Sequence, residues 1–333
     1  MSLMVSLNEI LGQQEAVSRL QQAMETQRQA HAYLFFGPDG VGKETTALAM
    51  AQLLFCRDPQ EDGTRGRYGC GQCSACIKLE AQTHPDLARL GVEEGKTRIV
   101  VDQVRELTRF LALTPLESPL KVAIVSDAAL MNQAAANALL KTLEEPPADT
   151  LLILVTAHPG MLLPTIRSRC QKLRFGLIAE PELKQLLMQQ TELTEEMLTT
   201  ALAVSRGSLS RGLEYADGKV AKLWETFQKQ LGGLSLRRMG DLLDCAAFWA
   251  NRERFPTALS FLKTWFNQRI RDNLSVTPGL SKQAQASWLE LAWWMENLLH
   301  KSAEFNLNRT LVLEGIMIRI ARLQDQTSRE KAR

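Results

Sequence analysis

The sequence predicts an α/β protein in three parts: a parallel-sheet domain with a phosphate-binding loop, a small helical domain, and an all-α C-terminal domain. Three observations predict it. Short apolar runs alternate with helical stretches as far as Phe175, the pattern of a parallel sheet with right-handed crossovers. A glycine-rich loop joins the first apolar run to a helix. All six tryptophans (Trp224, Trp249, Trp265, Trp288, Trp293, Trp294) lie beyond residue 217, where strand signals are lacking.

Taken in order, Asn8 to Gln29 reads as a helix, with Ile10, Leu11, Val17 and Leu20 towards one face. Ala32 to Phe36 is an apolar run suited to a buried parallel strand, and Glu44 to Phe55 is helical. A cysteine-rich insertion follows. Asp86 to Leu90 reads as a second strand. Asp102 is placed to cap a helix in which Val104, Leu107 and Leu111 recur at helical spacing. Val122 to Val125 is a third strand, Asn132 to Leu143 a helix, and Thr150 to Thr156 a fourth strand. Pro181 to Gln190 and Thr194 to Ser205 then form two short helices, with Thr194 as a cap and Gly207 closing the second. Beyond them, Trp288, Leu291, Met295 and Leu298 make one apolar stripe, and Leu313, Ile316, Ile320 and Leu323 another. Both read as bundle core. The tail from Thr327 to Arg333 is charged and expected to fray.

A length of 333 residues suits two or three domains. The division falls at 1–174, 175–216 and 217–333, with a metal module at about 54–78. Net charge is +2, which argues against a strongly basic nucleic-acid binder, but its distribution is uneven. Residues 1–216 hold 21 basic against 25 acidic side chains and residues 217–333 hold 18 against 12, consistent with a separate C-terminal domain. The opening MSLMVSLNEILGQQE has no signal-peptide pattern. Thr150 to Ile166 is charge-free but carries His158, Pro159, Gly160 and Pro164, which excludes a membrane span. The expectation is a soluble cytoplasmic protein.

Gly37-Pro-Asp-Gly-Val-Gly-Lys43 matches G-x-x-x-x-G-K. Gly37, Gly40 and Gly42 let the backbone curl so that N–H groups converge on a phosphate, and Lys43 adds charge. The next residue should carry a hydroxyl for Mg²⁺, but it is Glu44. Thr45 and Thr46 follow, each turned about 100° further round the helix. The later strand in the segment Lys121 to Asp127 should end in a metal-binding acid and a base; the pair there is Ser126-Asp127. Two losses in one reaction argue against ATP hydrolysis. Nucleotide binding without hydrolysis stays open, as does a loop retained only as a strand-to-helix turn.

Cys56, Cys70, Cys73 and Cys76 have the spacing C-x13-C-x2-C-x2-C, which suits a tetrahedral structural Zn²⁺. Four protein ligands leave no open position for catalysis. A redox pair, an iron–sulfur cluster and an empty loop are the alternatives. His84 reads as a loop residue before Pro85 and Cys245 as a small core residue. Thr165-Ile-Arg-Ser-Arg-Cys170 places arginines near the nucleotide end of the sheet, where an arginine offered in trans completes a neighbour's phosphoryl-transfer site. An ordinary loop salt bridge is the plainer reading.

Together, Leu11-Gly-Gln13, GPDGVGK, the four cysteines, Ala134 to Pro147 (AAANALLKTLEEPP) and Ser168-Arg-Cys170 resemble the clamp-loader subunits of bacterial DNA polymerase III, and most of all the delta-prime branch. The likeness covers about residues 8–212; 306–314 more loosely resembles the last collar helix of that family. The resemblance implies an AAA+ domain, a helical lid and a C-terminal collar. It implies a place in a hetero-pentameric ring with gamma/tau and delta subunits, acting on a sliding clamp and primed DNA as part of the DNA-directed DNA polymerase holoenzyme, a nucleotidyltransferase. Arg169 would be the finger reaching a neighbouring ATP, the four cysteines the zinc ligands, and Thr156 the residue sensing the γ-phosphate. In the ATPase subunits an arginine follows Gly-Ser-Leu; here Gly207-Ser-Leu-Ser210 puts serine there and Arg211 one place late. This third departure favours a non-hydrolysing subunit. An active gamma-type ATPase and a zinc-finger nucleic-acid module are the competing readings.

Overall fold

A computed structural model describes residues 5–331 apart from 27, 64–65, 94, 217, 253, 276–281 and 306. The chain's first four residues, the first residue of the collar-like segment 306–314 and the last two of the tail therefore lie outside the described residues. Contacts divide the chain into two compact units: Met1–Glu192 with Ser205–Gly212, and Leu193–Val204 with Leu213–Arg333.

The first unit opens with a short 3-10 turn at Leu7–Glu9 and helix α1, Gln14–Glu25. The continuous helix expected over Asn8 to Gln29 is thus corrected: Gly12 stands at φ +75°, a left-handed conformation that stops helical propagation between them. Strand β1 (Ala32–Phe36) and helix α2 (Lys43–Phe55) follow as expected. The cysteine-rich insertion holds more than was expected of it: a hairpin of β2 (Gln60–Asp62) and β3 (Gly66–Tyr68), then helix α3 (Ser74–Glu80).

Next come β4 (Leu87–Leu90), α4 (Val101–Leu111), β5 (Lys121–Val125), α5 (Gln133–Glu144), β6 (Thr150–Thr156), α6 (Pro164–Arg169) and β7 (Gln171–Arg174). Asp102 does not cap α4. The cap is Val100, whose N–H donates to Gln103 Oε1 at 2.9 Å, and Asp102 lies in the first turn paired with Arg105. Asn132 does cap α5, its Oδ1 accepting from Ala135 N at 2.8 Å.

The sheet runs β4-β5-β6-β1-β7, all parallel. The inner strands are buried on both faces, which explains their unbroken apolar runs. On one face α4, α5 and α6 close a core containing Val104, Leu107, Leu139, Leu143 and Ile166. Helix α7 (Glu180–Gln190) follows, burying Leu183 and Leu187.

Helix α8 (Glu195–Ser205) begins after Thr194, whose Oγ1 accepts from Met197 N at 3.4 Å. Helix α9 spans Leu209–Ala216. The second unit continues with α10 (Lys219–Gly232), α11 (Met239–Ala250), α12 (Phe255–Ser275), α13 (Lys282–Phe305) and α14 (Arg309–Lys331). Its centre is aromatic: Trp224, Phe227, Trp249 and Phe261 pack with ring centroids 4.9–6.3 Å apart. Trp249 Nε1 is satisfied by Gln230 Oε1 at 2.7 Å. Trp288, Leu291 and Met295 are buried as the stripe implied, while Leu299 rather than Leu298 completes it. Among the described residues no helix is long and apolar enough to cross a membrane.

Candidate functional site

The phosphate loop sits between β1 and α2. Phe36 pairs with Thr156 in register, and Gly37 N donates to Thr156 O at 3.3 Å, so the loop starts against the end of β6. Gly40 (φ +71°) and Gly42 (φ +94°) supply the left-handed turns. Gly40 is also crowded: a Cβ there would lie 2.3 Å from Ser208 Oγ, and Gly40 O accepts from Leu209 N at 2.8 Å. The Gly207–Ser210 segment is therefore hydrogen-bonded directly to the loop. Gln13, buried, ties the loop down from the other side: its Nε2 donates to Val41 O at 3.1 Å and Gly176 O at 2.9 Å, and its Oε1 accepts from Gly176 N at 3.1 Å.

Lys43 is buried and folded back on its own loop. Its Nζ donates to Gly37 O at 2.8 Å and Pro38 O at 2.5 Å and lies 3.8 Å from Asp39 Oδ1. Burial lowers its pKa, and Asp39 and Asp127 partly oppose that. Glu44, in the place of the magnesium-binding hydroxyl, pairs with Arg89 of β4 at 2.5 Å. Thr46 Oγ1 is turned inward, donating to Gly42 O at 2.8 Å, while Thr45 lines the cleft. Ser126 N donates to Leu90 O at 2.8 Å. Asp127 takes φ +49° and lines the cleft; partial burial first, then Asp39 and Glu44, push its carboxyl above the usual range. Thr156 is buried and its Oγ1 accepts from His158 N at 3.0 Å. The structure brings Lys43, Glu44, Thr45 and Asp127 to one cleft of about 440 Å³, with Ser210 on its wall. The donor set does not fit a magnesium ion: the hydroxyl position is a carboxylate already paired, and the strand-end acid is a serine.

The four cysteines do come together. Cys56 caps the end of α2, Cys73 caps the start of α3, Cys76 lies in its first turn, and all four Sγ atoms lie within 4.8 Å of one another. Zinc at about 2.3 Å from four sulfurs needs separations of about 3.8 Å, so four sulfurs gathered this closely could hold such an ion. Backbone N–H groups already face the sulfurs, as a thiolate set requires: Cys70 N to Cys56 Sγ at 3.2 Å and Cys73 N to Cys70 Sγ at 3.3 Å.

Arg169 ends α6. Its Nη2 lies 2.7 Å from Glu144 Oε1 at the end of α5, and its Nη1 donates to Thr165 O at 3.0 Å, with the side chain 36% exposed.

Sequence reasoning missed three groups. Arg89, an unremarkable residue on a short strand, enters the cleft because β4 brings it beside α2. His84 lies in the loop before Pro85, as expected, and is buried there: it stacks on Phe55 at 4.4 Å, and its Nδ1 accepts from Asp86 N at 3.2 Å. Asp86, fully buried, accepts from Leu116, Glu117 and Ser118 N–H at 2.8–2.9 Å and pairs with buried Lys121 at 3.2 Å. Cys245 is buried as expected.

Strand order, phosphate loop and attached helical segment define an AAA+-type P-loop protein. A solved Thermotoga maritima protein related to the DNA polymerase III gamma subunit shares the fold, with a TM-score of 0.50 at 18% identity, over 94% of this chain and 99% of that one. A family model described as "DNA polymerase III, delta subunit" matches residues 12–179. The delta-prime subunit of Pseudomonas aeruginosa is 35% identical over 88% of this chain and 92% of its own length. That of Escherichia coli K12 is 37% identical over 70% and 68%. A gamma/tau subunit of Mycobacterium bovis is 34% identical over 56% of this chain but only 31% of its own length. The chain belongs to the DNA polymerase III delta-prime subunit family.

Proposed function

We propose that this chain is a non-hydrolysing AAA+ subunit of a DNA polymerase III clamp loader that lends Arg169 to the ATP site of an adjoining gamma/tau subunit. Family membership supports the clamp-loader role. One contrast supports the finer reading: the chain's own metal positions are Glu44 and Ser126, while the Arg169 guanidinium stays part-exposed, held by a surface ion pair to Glu144 and a hydrogen bond to Thr165 O. A guanidinium so held is free to change partners, because such pairs contribute only about 0–1 kcal/mol. The proposed domain layout is an AAA+ domain at 1–174, a lid at 175–216 and a collar at 217–333. The proposed partners are gamma/tau and delta subunits in a hetero-pentameric ring, which meets the sliding clamp and primed DNA in the cytoplasm. Zinc, held by Cys56, Cys70, Cys73 and Cys76, would be structural, joining the ends of α2 and α3.

A gamma-type ATPase is the second reading, favoured by the well-formed curl from Gly37 to Lys43. Purified chain tested alone with Mg-ATP separates the two. The expected result is no turnover above background; turnover of about 1 s⁻¹ or more, lost on Lys43→Ala, would establish the ATPase reading instead.

A further inference from the structure

The cleft beside the phosphate loop contains its own counter-ions. Among the described residues, six charged side chains line it: Asp39, Lys43, Glu44, Glu80, Arg89 and Asp127. Four are carboxylates and two are cations, and both cations are already engaged. Lys43 is bound by two loop carbonyls, and Arg89 is bound by Glu44 at 2.5 Å. A magnesium–nucleotide entering here meets two obstacles. The residue that should offer the metal a hydroxyl offers a carboxylate, part-exposed and paired with a guanidinium. The lining's four carboxylates against two cations also set an excess of negative charge against the nucleotide's phosphates. Arginine cannot relieve this by losing a proton, and its planar donors suit the Glu44 carboxylate it already holds.

We infer that Glu44, a carboxylate in the place of the metal-binding hydroxyl, is the residue that keeps magnesium–nucleotide out of this cleft, with Arg89 as its part-exposed partner. Glu44 lies in the first turn of α2 and Arg89 on the edge strand β4, so the pair also joins the helix to the sheet edge beside the cleft. The inference rests on reading the cleft as non-hydrolysing and narrows it. Binding without turnover would overturn the inference and leave that reading standing; turnover would overturn both.

The test is a titration of the full chain with a fluorescent ATP analogue, with Mg²⁺ and with EDTA. Wild type is compared with Glu44→Thr, with the double variant Glu44→Thr/Lys43→Ala, and with Glu44→Gln. Retained far-ultraviolet circular dichroism shows that each variant is folded. The expected result is no saturation of wild type up to about 1 mM in either condition. Glu44→Thr should bind at least about tenfold more tightly in Mg²⁺ and lose that gain in EDTA or with Lys43→Ala. Glu44→Gln, which removes the charge without supplying the hydroxyl, should gain less than Glu44→Thr. Saturable binding by wild type below about 1 mM would overturn the inference, and so would no gain in Glu44→Thr.

Discussion

Arg169 is held by Glu144. The two residues end consecutive helices of the AAA+ domain, and their side chains meet at 2.7 Å where Glu144 is half exposed. The carboxylate parks the guanidinium at the surface without burying it. In Glu144→Gln the tether weakens by the worth of one surface pair, so ATP turnover of the reconstituted ring should stay level or rise by no more than about fivefold. A fall would mean that Glu144 aims the arginine rather than restrains it.

Zinc should be bound at about one equivalent per chain and released by a thiol-reactive reagent. Cys73→Ser should lose the metal, and residues 57–69, which have little apolar content, should become sensitive to protease. Metal-free protein with an unchanged cleavage pattern would contradict the zinc assignment.

Gln13 makes three hydrogen bonds that join the phosphate loop at Val41 to the backbone at Gly176. Gln13→Ala leaves these groups without their partner and should cost about 2–4 kcal/mol in urea unfolding. A loss below about 0.5 kcal/mol would show that the clamp is incidental.

Asp86 carries a pH dependence. Burial would raise its pKa, but three backbone N–H donors and Lys121 hold it below the 3.8 of the free carboxyl. A carboxyl depressed on folding stabilises the protein fully above that value, and the stability is lost as pH falls through the folded pKa. Asp86→Asn should therefore be destabilised by about 3–5 kcal/mol at neutral pH, because Lys121 is left as an unpaired buried charge. Its stability should also fall less steeply than wild type below about pH 4. Parallel acid curves would contradict this role.

The sheet was legible where burial on both faces forces unbroken apolar runs, as in β1, β5 and β6. The same rule hides β7: Gln171, Lys172 and Arg174 are exposed and only Leu173 is buried, so its pairing with β1 is decided by topology rather than by pattern. Helix α3 was missed because it is only 7 residues long and buries only Ala75, Cys76 and Leu79, too short a stretch for a helical period to stand out. Asp102 looked like a cap, but the Gln103 side chain reaches back to Val100 instead. At the cleft the missing hydroxyl and acid could be read from spacing alone. The Glu44–Arg89 and Lys121–Asp86 pairs could not, since their members are far apart in sequence and meet only through strand order.

The most direct measurement is steady-state ATP turnover of the reconstituted ring carrying either Arg169→Ala or Lys43→Ala in this subunit, with assembly checked by gel filtration. The expected result is a fall of about 10³-fold at the adjoining site for Arg169→Ala and no change for Lys43→Ala. Turnover that survives Arg169→Ala but fails with Lys43→Ala would place the chemistry in this chain and contradict the role proposed for it.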